Sequence, residues 1–378
     1  MNKIRTMALT MCCCLLLLVI SACGQSAPPA TETTAGTTND ATAASTTAAG
    51  PEANYKFDKL YQQLPFKDIL PLDEGPVLID GAEKPIKIGF AQTGFNHPWR
   101  IEMNNSIQAE AERHGNVTVV MTDGNVDVVK QSSDIDDLIT QGCDAIILSP
   151  IDSTALKAAA DKVLKANIPL IVLDRDVYTD KTVFIGQSNY TIGNKIGEYM
   201  AKQLNGKGDV LEITGLQGNA VTIDRHNGFS DALKNYPDIK ILTQGDGQFL
   251  RDPATKLMDD WLTAYTKIDA VYSHAEESAW GADLAIQRAG RTGEKIMQFT
   301  IDGSNQGFRD VKAGKFIADG NYTPYIGQVG VRAALYCLLN KELPGKQSYE
   351  YGNKIELPDL PIVTAENADE WIGKGWGD

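Results

Sequence analysis

From Ile86 onward the chain alternates between two hydrophobic periods. Nine short runs, rich in β-branched residues and apolar at odd and even positions alike, stand at Ile86 to Ala91, Val117 to Met121, Ala145 to Leu148, Leu170 to Leu173, Val183 to Ile185, Val210 to Ile213, Ile239 to Leu242, Ala270 to Tyr272 and Met297 to Ile301. A strand that is apolar on both faces is covered on both faces, so these runs predict parallel sheet sandwiched by helices. The windows between them carry helical spacing: Leu156, Ala160 and Val163 behind an Asp152-Ser153 cap, and Ile192, Ile196, Met200 and Leu204 at i, i+4 steps. The fold class is therefore α/β with right-handed crossovers. Nine strands are many for one sheet, and a chain of 378 residues is long for one domain, so two lobes of similar size are expected.

In open parallel sheets, ligands bind just beyond the carboxyl ends of the strands. Those positions here are polar. The first run leads into Gly94-Phe95-Asn96-His97-Pro98-Trp99-Arg100 and the Leu170 run into Asp174-Arg175-Asp176. The Val210 run leads to Thr214-Gly215 and on to Asp224-Arg225-His226, the Ala270 run to Ser273-His274-Ala275-Glu276-Glu277, and the Met297 run to Asp302-Gly303-Ser304. Strand ends in both halves thus carry hydrogen-bonding groups, as two lobes closing on a polar ligand require.

The N-terminus reads as an address. Lys3 and Arg5 precede an apolar stretch, Met7 to Ile20, too short to span a bilayer comfortably, and Ser21-Ala22-Cys23 follow, the pattern of a signal peptide over residues 1–22. Ile20-Ser21-Ala22-Cys23 resembles the bacterial lipobox, in which cleavage before the cysteine leaves a thiol that carries a diacylglyceryl group, and two acyl chains anchor a protein stably. Residues 24–50 hold eight Thr and eight Ala among 27 positions, too little apolar surface to offset chain entropy, so 23–51 is expected to be a lipidated, disordered tether. Residues 52–84 regain Tyr, Phe and Leu among several Pro and read as an irregular extension packed on the body.

Composition narrows the classes. With 35 basic against 49 acidic side chains, a net charge of −14 and 43% apolar residues, the chain is neither a polytopic membrane protein nor, lacking a basic stripe, a nucleic-acid binder. Loss of residues 1–22 would leave 33 against 49, a charge of −16. Cys12, Cys13 and Cys14 would leave with the signal and Cys23 is the lipidation site, so only Cys143 and Cys337 remain, both in apolar contexts that favour free buried thiols over a disulfide. No metal-ligand spacing survives, and neither a metal nor a cofactor is expected.

The enzyme motifs are missing. Four Gly-Lys pairs occur (Gly206-Lys207, Gly314-Lys315, Gly345-Lys346, Gly373-Lys374), and none is followed by Ser or Thr as a P-loop needs. There is no G-x-G-x-x-G after a strand, no G-x-S-x-G and no H-E-x-x-H. Glu276 and Glu277 are adjacent, so on a helix they point about 100° apart and make a poor acid/base pair. The chain is not expected to be an enzyme.

Five segments in register resemble a known family. Ile88-Gly89-Phe90-Ala91-Gln92 leading to Trp99-Arg100, Gln141-Gly142-Cys143-Asp144-Ala145-Ile146-Ile147 with Ser149-Pro150, Asn167-Ile168-Pro169 to Leu173-Asp174-Arg175, Asp224-Arg225-His226-Asn227-Gly228-Phe229, and Ile301-Asp302-Gly303 are similar to the ribose/galactose-type periplasmic sugar-binding proteins of ABC importers, over about residues 85–375. Trp99-Arg100, the Asp224-Arg225 segment and Asn235-Tyr236-Pro237-Asp238-Ile239-Lys240 make the galactofuranose-binding branch the most similar. The resemblance implies the periplasmic binding protein type I fold, two doubly wound parallel-sheet lobes joined by a three-crossing hinge. Lobe 1 would be 85–187 plus 323–350, and lobe 2 188–322 plus 351–378.

It also implies a function: an extracytoplasmic, lipid-anchored solute-binding protein of the cell membrane that captures a monosaccharide, galactofuranose or a related hexose or pentose, and delivers it to an ABC permease as a monomer. The alternative is a receptor that presents the sugar to a membrane sensor, a histidine kinase or chemoreceptor. A sugar has an apolar C–H face and a rim of hydroxyls. Trp99 suits the face, Asp174 and Asp302 accept from hydroxyl pairs, and Arg100, Arg175 and Arg225 donate in forked geometry. Family positions add His97, Asn321 before Thr323-Pro324, and Glu276, which with His274 flanks an Ala275 that stands where relatives carry a ligand-contacting Asn.

Overall fold

The computed structural model describes residues 65–377. The expected signal peptide, the lipidated Cys23, the tether and residues 52–64 of the extension lie outside the described residues. After a short 3₁₀ turn at Pro65–Asp68 and a two-residue hairpin, β1 (Leu78–Ile79) with β2 (Ala82–Glu83), strands and helices alternate. The first half comprises β3 (Ile86–Gln92), α1 (Pro98–Glu112), β4 (Val117–Asp123), α2 (Val128–Thr140), β5 (Ala145–Leu148), α3 (Lys157–Lys165), β6 (Leu170–Leu173) and β7 (Lys181–Gly186). The second comprises α4 (Asn189–Gln203), β8 (Lys207–Thr214), α5 (Ala220–Leu233), β9 (Asp238–Asp246), α6 (Arg251–Ala264), β10 (Ala270–Ser273), α7 (Glu276–Arg288), β11 (Met297–Ile301), α8 (Asn305–Lys312) and β12 (Ala318–Gly320). Then come α9 (Ile326–Leu338), β13 (Gln347–Tyr349), β14 (Gly352–Glu356), β15 (Ile362–Thr364) and α10 (Ala368–Trp371).

All nine runs expected as strands are strands, and they divide between two sheets with one topology. The first is ordered β13-β14-β7-β6-β5-β3-β4 and the second β15-β12-β11-β10-β8-β9, so within each lobe the leading strand sits between the second and third. Neighbours are parallel except β13 on β14 and β15 on β12. The residues of β5, β6 and β10 are buried throughout, as double-sided coverage demands. The family-based lobe boundary needs one correction. The resemblance assigns residues 352–356 to lobe 2, but β14 pairs alongside β7 in the first sheet, and the chain reaches the second sheet only at β15. The edge of β7 is the open hydrogen-bonding row that this late strand completes.

A second correction concerns α3. It begins at Lys157 with no side-chain cap, and Asp152 instead turns the preceding loop by accepting from the Thr154 and Ala155 amides (2.8 and 2.7 Å). Ser153 is thereby released to the other lobe: its amide donates to the Gly218 carbonyl and its Oγ accepts from the Ala220 amide, each at 3.1 Å. Cys143 and Cys337 are both free, Cys143 buried and Cys337 half-buried, in separate apolar clusters.

The described part of the extension packs on α1 and α9. Phe66, Leu70 and Val77 are buried in the large apolar core, and the Arg332 guanidinium, itself fully buried, donates to the Phe66 and Ile69 carbonyls and in a fork to Glu110 at 2.9 Å. Burial would raise the Glu110 carboxyl, but the nearby His114, 3.6 Å away, and the forked Arg332 hold it at about 2. This depressed value stabilises the fold above the ordinary carboxylate range, and the contribution is lost as pH falls towards 2. Removing one partner leaves a charge buried alone, so Arg332→Met is expected to cost about 3–5 kcal/mol by urea denaturation at pH 7. The gap to wild type should narrow at low pH, where Glu110 becomes neutral.

Candidate functional site

Both sheets point the carboxyl ends of their strands at a common cleft, and a cavity of ≈ 120 Å³ lies there. It sits at the switch point of each lobe, beyond β3 and β5 on one side and β8 and β10 on the other. Of the nine residues expected at the site, His97, Trp99, Arg100, Asp174, Arg175, Arg225 and Asp302 line it, and all nine are buried.

The lobe 1 wall is a tight polar array. Arg100 Nη1 donates to Gln92 Oε1 (2.8 Å) and Ser149 Oγ (3.2 Å), and its Nη2 donates to Asp174 Oδ2 (3.3 Å). Asp174 is left-handed (φ 66°), a conformation Asp tolerates, and its backbone amide donates to the Ile185 carbonyl. Its other oxygen accepts from the Tyr322 hydroxyl at 2.8 Å. Arg175 Nη1 donates to Thr93 Oγ1 (3.3 Å), while burial and the neighbouring Arg100 hold its pKa well below the usual value. His97 caps α1, its Nδ1 accepting from the Trp99 amide, so the proton sits on Nε2. Burial, then Arg100, drives its pKa down to about 3, and the ring is neutral.

Trp99 does not stand alone as a platform. Its ring stacks on Tyr322 (centroids 5.5 Å apart, planes at 19°), and its Nε1 donates to the Tyr322 carbonyl at 3.0 Å, so the aromatic wall is a pair built across the hinge strand.

Lobe 2 supplies Arg225 and Asp302. Arg225 Nε donates to Asn189 Oδ1 (2.9 Å), Nη1 donates to the His274 carbonyl, and Asp302 Oδ1 lies 3.8 Å away. Helices α4 and α5 approach so closely that a Cβ at Gly193 would lie 2.3 Å from the Arg225 carbonyl oxygen; only glycine lets Asn189 and Arg225 meet. Burial raises Asp302 well above the usual carboxylate range despite Arg225, and the Trp376 indole, from the C-terminal segment, donates to its carbonyl.

Two expected residues stand elsewhere. Glu276 is turned away from the cavity: its Oε1 accepts from the Ser304 amide (2.7 Å), and burial raises its pKa, as does Asp319. Asp319 is pushed up to about 7, chiefly by burial, so both carboxyls of lobe 2 are shifted towards the neutral form. Asn321 lies against Gly303, and its neighbour Tyr322 takes the place in the wall. Phe249 was not foreseen. It reaches the cavity from the β9–α6 loop with Arg175 and Arg225 over its ring at 5.4 and 6.0 Å. A signal existed: Asp123-Gly124-Asn125-Val126 after β4 and Asp246-Gly247-Gln248-Phe249 after β9 are matching turns, each with two left-handed residues and an aspartate accepting from the amide two positions on, and each puts an apolar side chain on the cavity.

Two lobes of identical strand order around a switch-point cavity invite comparison with known proteins, and residues 88–342 match the family described as the periplasmic binding protein domain. The chain belongs to that family. It is 32% identical over 249 residues, 64% of this chain and 78% of the relative, to galactofuranose-binding protein YtfQ of Escherichia coli (strain K12). Among solved structures it resembles the fructose-binding periplasmic domain of hybrid two-component system BT1754 (TM-score 0.70, 32% identity, covering 76% of this chain and 93% of that one). It also resembles a galactofuranose-binding protein (TM-score 0.71, 28% identity, 77% and 98%). The two α/β lobes are those of a type I binding protein of this family.

A second interlobe cavity of ≈ 250 Å³ lies on the hinge side, lined by Asp176, Tyr178, Tyr349, Lys354 and Glu356 from lobe 1 and by Asp224 of α5. Burial, then the facing Asp176, raises Asp224 to about 6, and burial raises Asp176. Opening returns Asp224 to water and an ordinary pKa, so its charge opposes closure. A raised carboxyl gives back stability as pH falls through its closed-state value. Ligand affinity is therefore expected to tighten by up to about tenfold between pH 7 and pH 5, and Asp224→Asn to flatten that profile in calorimetric titrations.

Proposed function

We propose that the cavity holds one monosaccharide, recognised jointly by Trp99, Arg100, Asp174 and Arg175 on one lobe and Arg225 and Asp302 on the other. The chain is a sugar-binding protein of the ABC-importer type, not an enzyme. The observation that carries this reading is the division of the buried hydrogen-bonding set between two lobes. Only the closed form surrounds a rim of hydroxyls, and a ligand shifts an open–closed equilibrium by its differential affinity for the two forms. The three guanidiniums and two carboxyl groups, held in place by partners behind them, offer both donors and acceptors to hydroxyls.

The finer reading is a galactofuranose-like or related sugar, delivered by a monomer tethered through a diacylglyceryl group on Cys23 to an ABC permease. Among the described residues no helix is long and apolar enough to cross a membrane. The resemblance to a fructose-binding domain of a hybrid two-component system favours a second reading, presentation of the sugar to a sensor. Loss of sugar uptake on deleting the gene supports import, whereas intact uptake with lost sugar-dependent transcription supports sensing.

Asp174→Ala leaves Arg100, Tyr322 and a sugar hydroxyl without their acceptor, a cost of about 1–3 kcal/mol, roughly five- to 150-fold in affinity by calorimetry. Saturating sugar should shrink the radius of gyration in small-angle X-ray scattering. An unaltered scattering curve would place the site within one lobe and remove the reading. Cys23→Ala is expected to move the protein from the membrane to the soluble fraction, and a wild type that is already soluble would exclude the anchor.

A further inference from the structure

The cavity wall has two chemistries. The charged array is drawn from both lobes, and beside it Val221, Phe249 and Ala275, with the partly buried Leu216, form an apolar cluster of their own, Arg175 and Arg225 lying over the Phe249 ring. They come from four different places in lobe 2: Leu216 from the loop after β8, Val221 from the first turn of α5, Phe249 from the β9–α6 loop and Ala275 from the residue before α7. Val126 of lobe 1 lines the same cavity. Val221 and Ala275 sit at helix N-termini, and Ala275 is the α7 cap residue with no side chain to offer a hydrogen bond.

Leu216, Val221 and Ala275 are aliphatic. They present neither a π face for a sugar ring nor an acceptor for a hydroxyl, so what they accommodate is an alkyl group. A hydroxyl turned directly against these three side chains would lose its water and gain no partner from them, whereas a methyl group there is removed from water at no such cost. Resting on the reading of the cavity as a sugar site, we infer that the ligand is a deoxy sugar, with its vicinal hydroxyls against Arg100, Asp174, Arg225 and Asp302 and a methyl group in place of a hydroxymethyl against Val221 and Ala275. The site discriminates by what it withholds: the lobe 2 corner leaves the extra hydroxyl unsatisfied.

The test is calorimetry on the full chain with matched pairs that differ only in the 6-hydroxyl: D-fucose and D-galactose, L-rhamnose and L-mannose, D-quinovose and D-glucose. In the pair that binds, the 6-deoxy member is expected to be tighter by about 10- to 100-fold, the scale on which an apolar pocket sorts such neighbours. A 6-hydroxy member that binds as well or better overturns the inference while the sugar site stands; a panel in which none of the six binds overturns the inference, and a thermal-shift screen against pentoses and further hexoses then decides the sugar reading separately. Val221→Thr, nearly the same shape with one hydroxyl added, supplies the missing partner and should narrow the ratio about tenfold, chiefly through the 6-hydroxy sugar. An unchanged ratio in a variant with wild-type thermal stability would show that the corner does not meet the ligand's 6-position, which also overturns the inference.

Discussion

Charged groups withdrawn from water must find partners, and at the junction of these two lobes five of them are withdrawn together. Arg100, Arg175 and Arg225 face only Asp174 and Asp302 in the cavity wall, and burial works against the charged form of most of them. Much of the surrounding architecture follows from keeping that array satisfied. Gln92 and Ser149, at the ends of β3 and β5, anchor Arg100, and a left-handed Asp174 brings one carboxylate within reach of Arg100 and the Tyr322 hydroxyl. The glycine contact between α4 and α5 lets Asn189 hold Arg225. The C-terminal segment returns across both sheets so that Trp376 braces Asp302. A cavity fixed in this way loses little orientational freedom when a polar ligand enters, because its donors and acceptors are already aimed.

The sheets were legible because parallel strands buried on both faces leave a signal that needs no context: runs such as Ala145 to Leu148 and Leu170 to Leu173 match the observed strands residue for residue. The strands that escaped are short and were shaped by tertiary position. In β12 the sequence is Ala318-Asp319-Gly320, and an Asp beside a Gly reads as a turn; its place as a strand comes from pairing with β11, which buries all three residues. β13 to β15 exist only because the edges of β7 and β12 are there to receive them. A lobe boundary drawn at residue 350 could not foresee that, since a strand's sheet is decided by the free edge it meets and not by its own residues.

At the site, position along the chain was a good guide and side-chain direction was not. Seven expected residues reach the cavity because each follows a strand whose end points there. Glu276 also follows a strand, yet the Ser304 amide draws its carboxyl inward, away from the cavity. The choice between Asn321 and Tyr322 turns on the alternation of an extended segment, where a shift of one residue reverses the face. Phe249 lay in a loop without apolar periodicity. Only the pairing of its Asp-Gly-Gln turn with Asp-Gly-Asn in the other lobe distinguished it, and that is a relation between two distant segments.

The bridge made by Ser153 uses the Gly218 carbonyl and the Ala220 amide, backbone groups that no change of ligand alters. Gly218 is left-handed (φ 84°) and lies so close to Asp152 of the facing lobe that a Cβ there would come within 2.1 Å of its carboxylate. The closed form is thus favoured in part by contacts that the sugar never touches, and these set how often the empty protein closes. An apparent dissociation constant is the intrinsic one divided by the competent fraction. Evolution could therefore retune the sensitivity of this protein to scarce or abundant sugar at residues 152, 153 and 218, leaving the chemistry of recognition, and so the identity of what is recognised, unaltered.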